Sequence, residues 1–370
     1  MIEEELEKRA LPELLVNGQG ERVTNEEMWT VRREEIADVL QHEFCGYVPP
    51  LNPKVEGTVV VENDRAYFGG KAIYQKIYIC SHINSCNPEM GAFTFPCHFL
   101  RPKDVVNPPV FVYISFSRAV VDELIPMEEI LDNGFAVASF YYQDVAPDTD
   151  DDCVNGIAAS YNRNPFDAGG KIRMWAWAAS RVMDYLQSLD CIDKERIAVV
   201  GHSRLGKTAL MAGAFDTRFS LTISNDSGGA GAAIFRGKTG EMVKNFRGGV
   251  SGTWFAGNFK NYVRRENEMP FDMHYLLSMV APRNLYVCSA KEDGHADPKS
   301  EFLGCAATGI VYEEIYKKAG LVVEDNKIPE EVITLPKGNI GYHMRDGHHF
   351  LTRYDWQKFM EYRNMPEHIC

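Results

Sequence analysis

The chain has 370 residues and a formal net charge of −13. Nucleic-acid binding depends on basic patches, so this charge argues against a nucleic-acid partner. No stretch reaches the run of about 18 apolar residues that a membrane span needs, so we expect no membrane partner. Residues 1–9 are rich in glutamate and hold no apolar run. They do not resemble a secretory signal. We therefore expect a cytoplasmic location, although a secreted protein without its leader would look the same.

The first part of the chain has the pattern of β-hairpins. Residues 55–79 alternate between apolar and polar side chains, and turn signals at Asn63-Asp64 and Gly69-Gly70 divide them. The chain contains no internal repeat and no long Pro/Gly-rich linker. We therefore predict one domain over residues 1–370, with an N-terminal extension over about residues 1–55. The nine cysteines are scattered and form no CxxC pair, so we expect free thiols.

From about Pro108 onward, short β-rich runs alternate with helical patterns. Residues 171–189 repeat apolar side chains with the period of an amphipathic helix, and residues 355–362 predict a closing helix. The predicted strands are 110–115, 135–142, 196–200, 221–224 and 285–289. This alternation predicts an α/β fold, with a mostly parallel central sheet and helices on both faces in a three-layer sandwich.

A serine motif follows the predicted strand 196–200. The sequence there is Gly201-His202-Ser203-Arg204-Leu205-Gly206-Lys207, and a helical pattern comes next. A sharp turn between strand and helix lifts a serine hydroxyl above the sheet and points the helix N-terminus toward it. Leu205 occupies the place of the second glycine of the usual nucleophile elbow, and Gly206 follows one residue late. We predict that Ser203 is a nucleophile.

A nucleophilic serine needs a base, and in α/β-hydrolase chain order an acid and then a histidine follow the serine. Residues 341–350, which we predict to be a loop before the last helix, contain His343, His348 and His349. Chain order alone does not separate the three. We choose His349 as the general base.

The acid that orients this base has two candidate locations. The turn after strand 285–289 contains Glu292, Asp293 and Asp297, of which Asp293 has the best register for the tip of the turn. Asp226 follows the earlier strand 221–224. We favour Asp293 over Asp226 because it follows the usual order of the fold.

The serine motif and several other segments resemble the bacterial branch of the glucuronoyl esterases, often labelled acetyl xylan esterases. The family motif Gly-x-Ser-Arg-x-Gly-Lys matches residues 201–207. The other similar segments are 11–50, 223–233, 254–259, 276–303 and 340–362. This resemblance covers most of the chain. It implies an α/β-hydrolase fold, a serine esterase acting on a small-molecule or oligosaccharide ester of (4-O-methyl-)glucuronic acid, and no metal or organic cofactor.

The resemblance also implies roles for individual residues. Arg204 would help to stabilise the oxyanion, Lys207 would bond hydroxyls of the uronate sugar, and Glu241 would contact the sugar. The family pattern Arg-x-Gly-x-His places its histidine at His349. The family's alternative acid falls at Asp226.

Some features depart from the family pattern or have two interpretations. His295 stands where the family has a sugar-stacking Trp in Asp-x-Trp-Ala-Asp-Pro, so the stacking surface is reduced. The segment after Asp226 reads Ser227-Gly228-Gly229-Ala230, without the cysteine that related sequences often carry. Trp254, in a Gly-rich loop, is as consistent with the pocket as with the core. The aspartate run 148–152 lacks the glycine and terminal glutamate of a calcium loop, and we interpret it as a solvated turn.

Two alternatives to a uronate esterase remain at this point. A deacetylase acting on acetylated xylo-oligosaccharides would use the same serine, histidine and acid, but it has no use for a cation that recognises the uronate. Arg204 and Lys207 favour the uronate. A catalytically silent carbohydrate-binding homologue would keep the fold but would not need to retain all of these side chains.

Overall fold

The structure is a computed structural model that describes residues 1–48, 55–63, 67–83 and 91–368. The predicted turn residue Asp64 and the cysteines Cys86 and Cys370 lie outside these ranges. The cysteines within them are free thiols, as expected. None of the helices in these ranges is long and apolar enough to cross a lipid bilayer.

Helices and strands alternate over most of the chain. The α-helices are α1 (Ile2–Arg9), α2 (Glu26–Leu40), α3 (Met127–Asp132), α4 (Lys171–Gln187), α5 (Arg204–Phe215), α6 (Met273–Ser278), α7 (Pro298–Ile310) and α8 (Arg353–Arg363). The strands are β1 (Val55–Asn63), β2 (Ala72–His82), β3 (Ala92–Pro102), β4 (Val110–Ser115), β5 (Ala136–Tyr141), β6 (Ile197–His202), β7 (Leu221–Asn225), β8 (Asn284–Ala290), β9 (Ile333–Leu335) and β10 (Ile340–Arg345).

The strands form one mixed sheet in the order β1-β2-β3-β5-β4-β6-β7-β8-β10-β9. Strands β1 and β2 pair antiparallel, as the alternating pattern of residues 55–79 predicted. Strand β3, which the sequence analysis did not predict, pairs antiparallel with β2 and with β5. From β5 through β4, β6, β7 and β8 to β10, each strand runs parallel to its neighbour. The short β9 pairs antiparallel with β10 at the edge. The prediction of a mostly parallel central sheet is confirmed.

Each face of the sheet has its own apolar core. In β4, Val110, Val112 and Ile114 point into the core that contains the buried side chains of α4 and α5. Phe111 and Tyr113 point into the other core, with α3 and α8. Because successive side chains of a strand alternate between faces, a central strand covered on both faces is apolar throughout. Helices therefore lie on both faces, as predicted.

One predicted loop is wrong. Ile340–Arg345 forms strand β10, pairs parallel with β8 and is buried along its whole length. The strand pattern was hidden because it includes two polar side chains, His343 and Arg345. Both are satisfied inside the protein, since both bond Asp355 of α8.

The predicted site residues follow the carboxyl ends of parallel strands. Ser203 follows β6, Asp226 follows β7, Asp293 comes shortly after β8 and His349 shortly after β10. In parallel sheets these ends share one edge, where ligands of α/β proteins usually bind.

Candidate active site

The serine lies on a strained turn between β6 and α5. Ser203 has a φ of 58° and a ψ of −126°, and its backbone N–H donates to the carbonyl of Asn225 at 2.9 Å. A Cβ at Gly201 would lie 2.0 Å from the carbonyl oxygen of Leu205. At Gly206 it would lie 3.0 Å from the carbonyl oxygen of Asn225. The second glycine is therefore displaced to a position where α5 lies against the backbone of Asn225 in β7.

His349 and Asp293 form a close pair. His349 Nδ1 lies 2.6 Å from Asp293 Oδ2. Burial alone would raise the pKa of Asp293, but the hydrogen bonds from His349 and from the Ala296 amide hold it below its ordinary value. The Asp293 carboxylate is thus an ionised acceptor for the His349 Nδ1–H, which leaves Nε2 available for proton transfer.

Asp226 is buried next to this pair but has other partners. Its Oδ2 accepts from Arg345 Nη2 at 3.2 Å and from the Phe350 amide at 3.3 Å. Burial raises the pKa of Asp226 well above its ordinary value, and the nearby Glu301 raises it further. Asp226 therefore holds the backbone directly after His349, whereas Asp293 contacts the imidazole itself.

The other two histidines have different surroundings. His343 is completely buried in β10, where its Nδ1 lies 3.0 Å from the Tyr286 hydroxyl and its Nε2 2.7 Å from Asp355 Oδ1. His348 is exposed, and its carbonyl accepts from Arg345. Of the three, His349 lines the cavity that contains Ser203.

This active-site cavity has a volume of about 370 Å³. It brings together every site residue predicted from the sequence, together with Ser227, Gly228 and Ala296. The predicted residues are Ser203, Arg204, Lys207, Asp226, Glu241, Trp254, Asp293, His295 and His349. They come from segments separated by up to about 150 residues, and the folded chain assembles them at one edge of the sheet.

Arg204 is held by an aspartate that the sequence did not identify. Arg204 Nη1 donates to Asp148 Oδ2 at 2.5 Å, and Trp254 Nε1 donates to Asp148 Oδ1 at 2.8 Å. The guanidinium lies over the Trp254 ring, 4.8 Å from its centroid. The Asp148 side chain is only 2% exposed. The interpretation of the aspartate run as a solvated turn is therefore wrong at Asp148, and also at Asp151, which pairs with the buried Lys171 at 2.6 Å.

We expect Asp148→Asn to lower kcat roughly ten- to a hundredfold with a smaller change in KM. The amide keeps the shape of the carboxylate but loses the charge that holds Arg204, and losing an oxyanion donor outright costs about a hundred- to a thousandfold. Steady-state kinetics on a glucuronate ester measures this. Asp150→Asn, an exposed position in the same run, is the matched control. Equal effects of the two substitutions would contradict a positioning role for Asp148.

Lys207 and Glu241 form a buried ion pair on the other side of the cavity. Lys207 Nζ donates to Glu241 Oε2 at 2.7 Å, to the Gly229 carbonyl at 2.7 Å and to the Ser227 carbonyl. All three ammonium donors are therefore bound by the protein. Burial alone would raise the pKa of Glu241, but Lys207 and then His295 lower it. The Glu241 carboxylate is charged, and Oε1 faces His295 Nε2 at 3.8 Å.

Comparison with known proteins agrees with this geometry. A family profile described as "Glucuronyl esterase, fungi" matches residues 94–320. The chain is 34% identical to carbohydrate esterase MZ0003 of an unknown prokaryotic organism, over 97% of this chain and 90% of that protein. It is 31% identical to 4-O-methyl-glucuronoyl methylesterase 1 of Wolfiporia cocos, over 82% and 72%. The chain belongs to the glucuronoyl esterase family.

A solved glucuronoyl esterase from Solibacter usitatus has the same fold. It superposes with a TM-score of 0.85 and 33% identity, over 95% of this chain and 96% of that chain. The glucuronoyl esterases are carboxylic ester hydrolases with an α/β-hydrolase fold. Both the predicted fold class and the predicted reaction class are therefore confirmed.

His202 is a second residue of this glucuronoyl esterase that the sequence analysis did not single out. Its ring packs against His349 with 4.5 Å between centroids, and its Nδ1 lies 2.5 Å from Asn225 Oδ1. Burial, followed by the proximity of His349, lowers the pKa of His202 to about 3, so its ring is neutral. The motif leaves this position unspecified. The position of His202 at the end of β6, directly before the nucleophile, is the sequence feature that could have identified it as a site residue.

Proposed function

We propose that this glucuronoyl esterase hydrolyses carboxylic esters of glucuronic and 4-O-methylglucuronic acid through an acyl-enzyme on Ser203. The observation that carries the proposal is the 2.6 Å pair of His349 and Asp293 in the cavity that Ser203 also lines. The relatives named for uronate ester hydrolysis support the same substrate class.

In the proposed mechanism, Ser203 Oγ attacks the ester carbonyl and His349 Nε2 takes its proton. The carbonyl oxygen becomes an oxyanion, which the backbone N–H of Arg204 at the start of α5 and the guanidinium that Asp148 holds can stabilise. His349 then returns the proton to the leaving alcohol. Water, activated in the same way, releases the uronate. Asp293 keeps the imidazole in the required tautomer and stabilises its charged form.

Binding of the sugar is proposed to depend on Glu241 and Trp254. Lys207 already donates all its hydrogens to protein oxygens, so it acts by fixing Glu241 and keeping that carboxylate charged. Glu241 Oε1 is then an acceptor for a sugar hydroxyl. This assigns Lys207 a supporting role, in place of the direct sugar contact that the resemblance implies.

The test of the proposal is a comparison of two substrates. We expect kcat/KM for benzyl glucuronate to exceed that for an acetylated xylo-oligosaccharide by at least about a hundredfold. The polar side chains of the cavity that bond the uronate would be left without partners when the acetylated substrate binds. Alcohol release and acetate release are measured under the same conditions. Preferential release of acetate would replace the uronate proposal with the deacetylase.

His295→Trp is expected to lower KM for methyl 4-O-methylglucuronate by roughly two- to tenfold. The His295 side chain is 63% exposed at the rim of the cavity, and an indole there adds an apolar face for the sugar. Such an aromatic contact contributes about 0.5–1.5 kcal/mol beyond its buried area, and a decade corresponds to about 1.4 kcal/mol. Because the contact is made equally in the ground and transition states, kcat should change little.

Steady-state kinetics on methyl esters with and without the 4-O-methyl group measures this effect. His82→Trp is the matched control, since His82 is a half-exposed histidine at the end of β2. An unchanged KM for both esters would remove position 295 from the sugar pocket. A collapse of kcat would place His295 in the catalytic machinery.

A further inference from the structure

A second cavity, the basal cavity, lies at the opposite edge of the sheet from the active site. It has a volume of about 430 Å³ and is lined by residues at the amino ends of β7, β8 and β10, among others. Its cationic side chains are Lys194, Arg218, Arg283, Lys318 and Arg363, and one acidic residue, Glu195, lines it. The whole chain has more acidic than basic residues, 52 against 39, whereas the lining of this cavity has more basic than acidic residues.

Two of these cations are already neutralised by carboxylates. Lys194 pairs with Asp190 at 3.0 Å, and Arg218 pairs with Asp216 at 2.7 Å. For the other three cations, Arg283, Lys318 and Arg363, the described ranges provide no ion pair. The basal cavity therefore contains three cations without a carboxylate at ion-pair distance in the described ranges, while Asp216 and Asp193 attract Arg283 and Arg363 from further away.

Arg363 is the most informative of the three. The residue is 2% exposed, its Nη2 donates to the Ser220 hydroxyl at 2.8 Å, and its Nη1 donates to a backbone carbonyl at 3.3 Å. Its buried Nε has no acceptor among the described residues. Burial, followed by repulsion from Arg196, lowers the pKa of Arg363 to about 10. A buried guanidinium that has only neutral acceptors is costly, and an anion that accepts its hydrogens removes part of that cost.

Arg283 adds a second buried guanidinium to the same wall. Its Nη1 donates to the Phe219 carbonyl at 2.8 Å and its Nη2 to the Gly213 carbonyl at 2.7 Å. Burial lowers the pKa of Arg283 to about 10. Together with two further bonds, to the Asp216 carbonyl at 3.3 Å and the Met279 carbonyl at 3.2 Å, these carbonyl bonds occupy all four Nη hydrogens. Arg283 therefore contributes its charge to the cavity and not a free donor.

We propose that the basal cavity binds a small oxyanion, either a phosphate group or the free carboxylate of a sugar acid. The planar guanidinium of Arg363 matches both kinds of oxyanion, and each charge-assisted bond is stronger than a neutral one. The exposed Lys318 adds a mobile cation at the mouth of the cavity. The volume is large enough for a phosphorylated or carboxylated monosaccharide.

Isothermal titration of the full chain with inorganic phosphate and, separately, with sodium glucuronate tests this, with sodium chloride holding the ionic strength constant. We expect saturable binding of at least one of the two, and the tighter one identifies the source of the oxyanion. Arg363→Gln should weaken that binding by about tenfold or more, in line with the loss of a bond to a charged group. Arg353→Gln, at an exposed arginine of α8, is the matched control and should not change it.

If Arg363→Gln impairs folding, Lys318→Gln provides a second test, because Lys318 is exposed and its replacement should not disturb the fold. It should weaken oxyanion binding severalfold and leave ester hydrolysis unchanged. Lys207→Gln, in the active-site cavity, separates the two sites, since glucuronate is also the product of the proposed reaction. Binding that is lost in Lys207→Gln but retained in Lys318→Gln would overturn the proposal. The absence of saturable binding of either anion would also overturn it.

Discussion

Replacing Ser203 by alanine is expected to lower kcat for glucuronate esters by about four to six powers of ten. The substitution removes the only atom that forms the acyl-enzyme, and nucleophile loss in serine hydrolases has an effect of this size. Folding should be unaffected, because alanine keeps the Cβ and the strained φ of 58° at this turn, and the backbone bond from position 203 to Asn225 stays. Steady-state kinetics and thermal unfolding measure the two parts.

A matched control distinguishes loss of the nucleophile from loss of any serine hydroxyl. Ser188→Ala removes a hydroxyl that caps the end of α4, far from the active-site cavity. It should retain wild-type turnover. Residual activity of Ser203→Ala above about one hundredth of wild type would show that another group attacks the ester.

Replacing Asp293 by asparagine is expected to lower kcat by about three to four powers of ten. Asparagine has no charge to stabilise the imidazolium, and its NH2 group can donate to His349 Nδ1, which holds the imidazole in the wrong tautomer. The pKa of Asp293 is held below its ordinary value, so the carboxylate stays charged until the pH falls below the usual carboxyl range. The kcat of the wild type should therefore not be limited by Asp293 at neutral pH.

The matched comparison is Asp226→Asn, for which we expect a loss of about tenfold or less. Asp226 accepts from Arg345 and from the Phe350 amide, and an asparagine oxygen accepts from the same donors. Its raised pKa also means that this site tolerates a neutral group. Kinetics of the two single variants and of the double variant settle the assignment. A harmless Asp293→Asn beside an inactive Asp226→Asn would transfer the acid role to Asp226.

Asp226 belongs to a buried polar network, so we expect an apolar residue at this position to destabilise the protein. Arg345 bonds both Asp226 and Asp355, and Asp355 also bonds His343. Removing one member of such a network leaves buried charges without partners. Asp226 therefore stabilises the loop that carries His349, through Arg345 and the Phe350 backbone.

Much of this protein was predictable from its sequence because the information is local. Apart from β10, the parallel strands of the central sheet are largely apolar runs, and α4 repeats with a helical period. Both patterns follow from which faces are covered. The turn at Ser203 was predictable because a strand, a glycine-containing motif and a helix follow one another without a gap. Eight of the nine candidate site residues lie in segments with this kind of local signal, or in segments that resemble the family. The ninth, Glu241, lies between two such segments and was singled out only by its match to a family residue.

The tertiary structure decided which of these residues meet. His349 and Asp293 are 56 positions apart in the sequence. His349 and His343 differ in role because His343 lies in the buried strand β10, whereas His349 lies in the loop after it. Asp148 reaches Arg204 across 56 positions, and no local pattern distinguishes it from its solvated neighbours. The local sequence determines whether a segment forms a helix or a strand. Which side chains then contact each other depends on the order of the strands in the sheet, because that order decides which loops lie at the same edge. That order is set by packing over the whole chain.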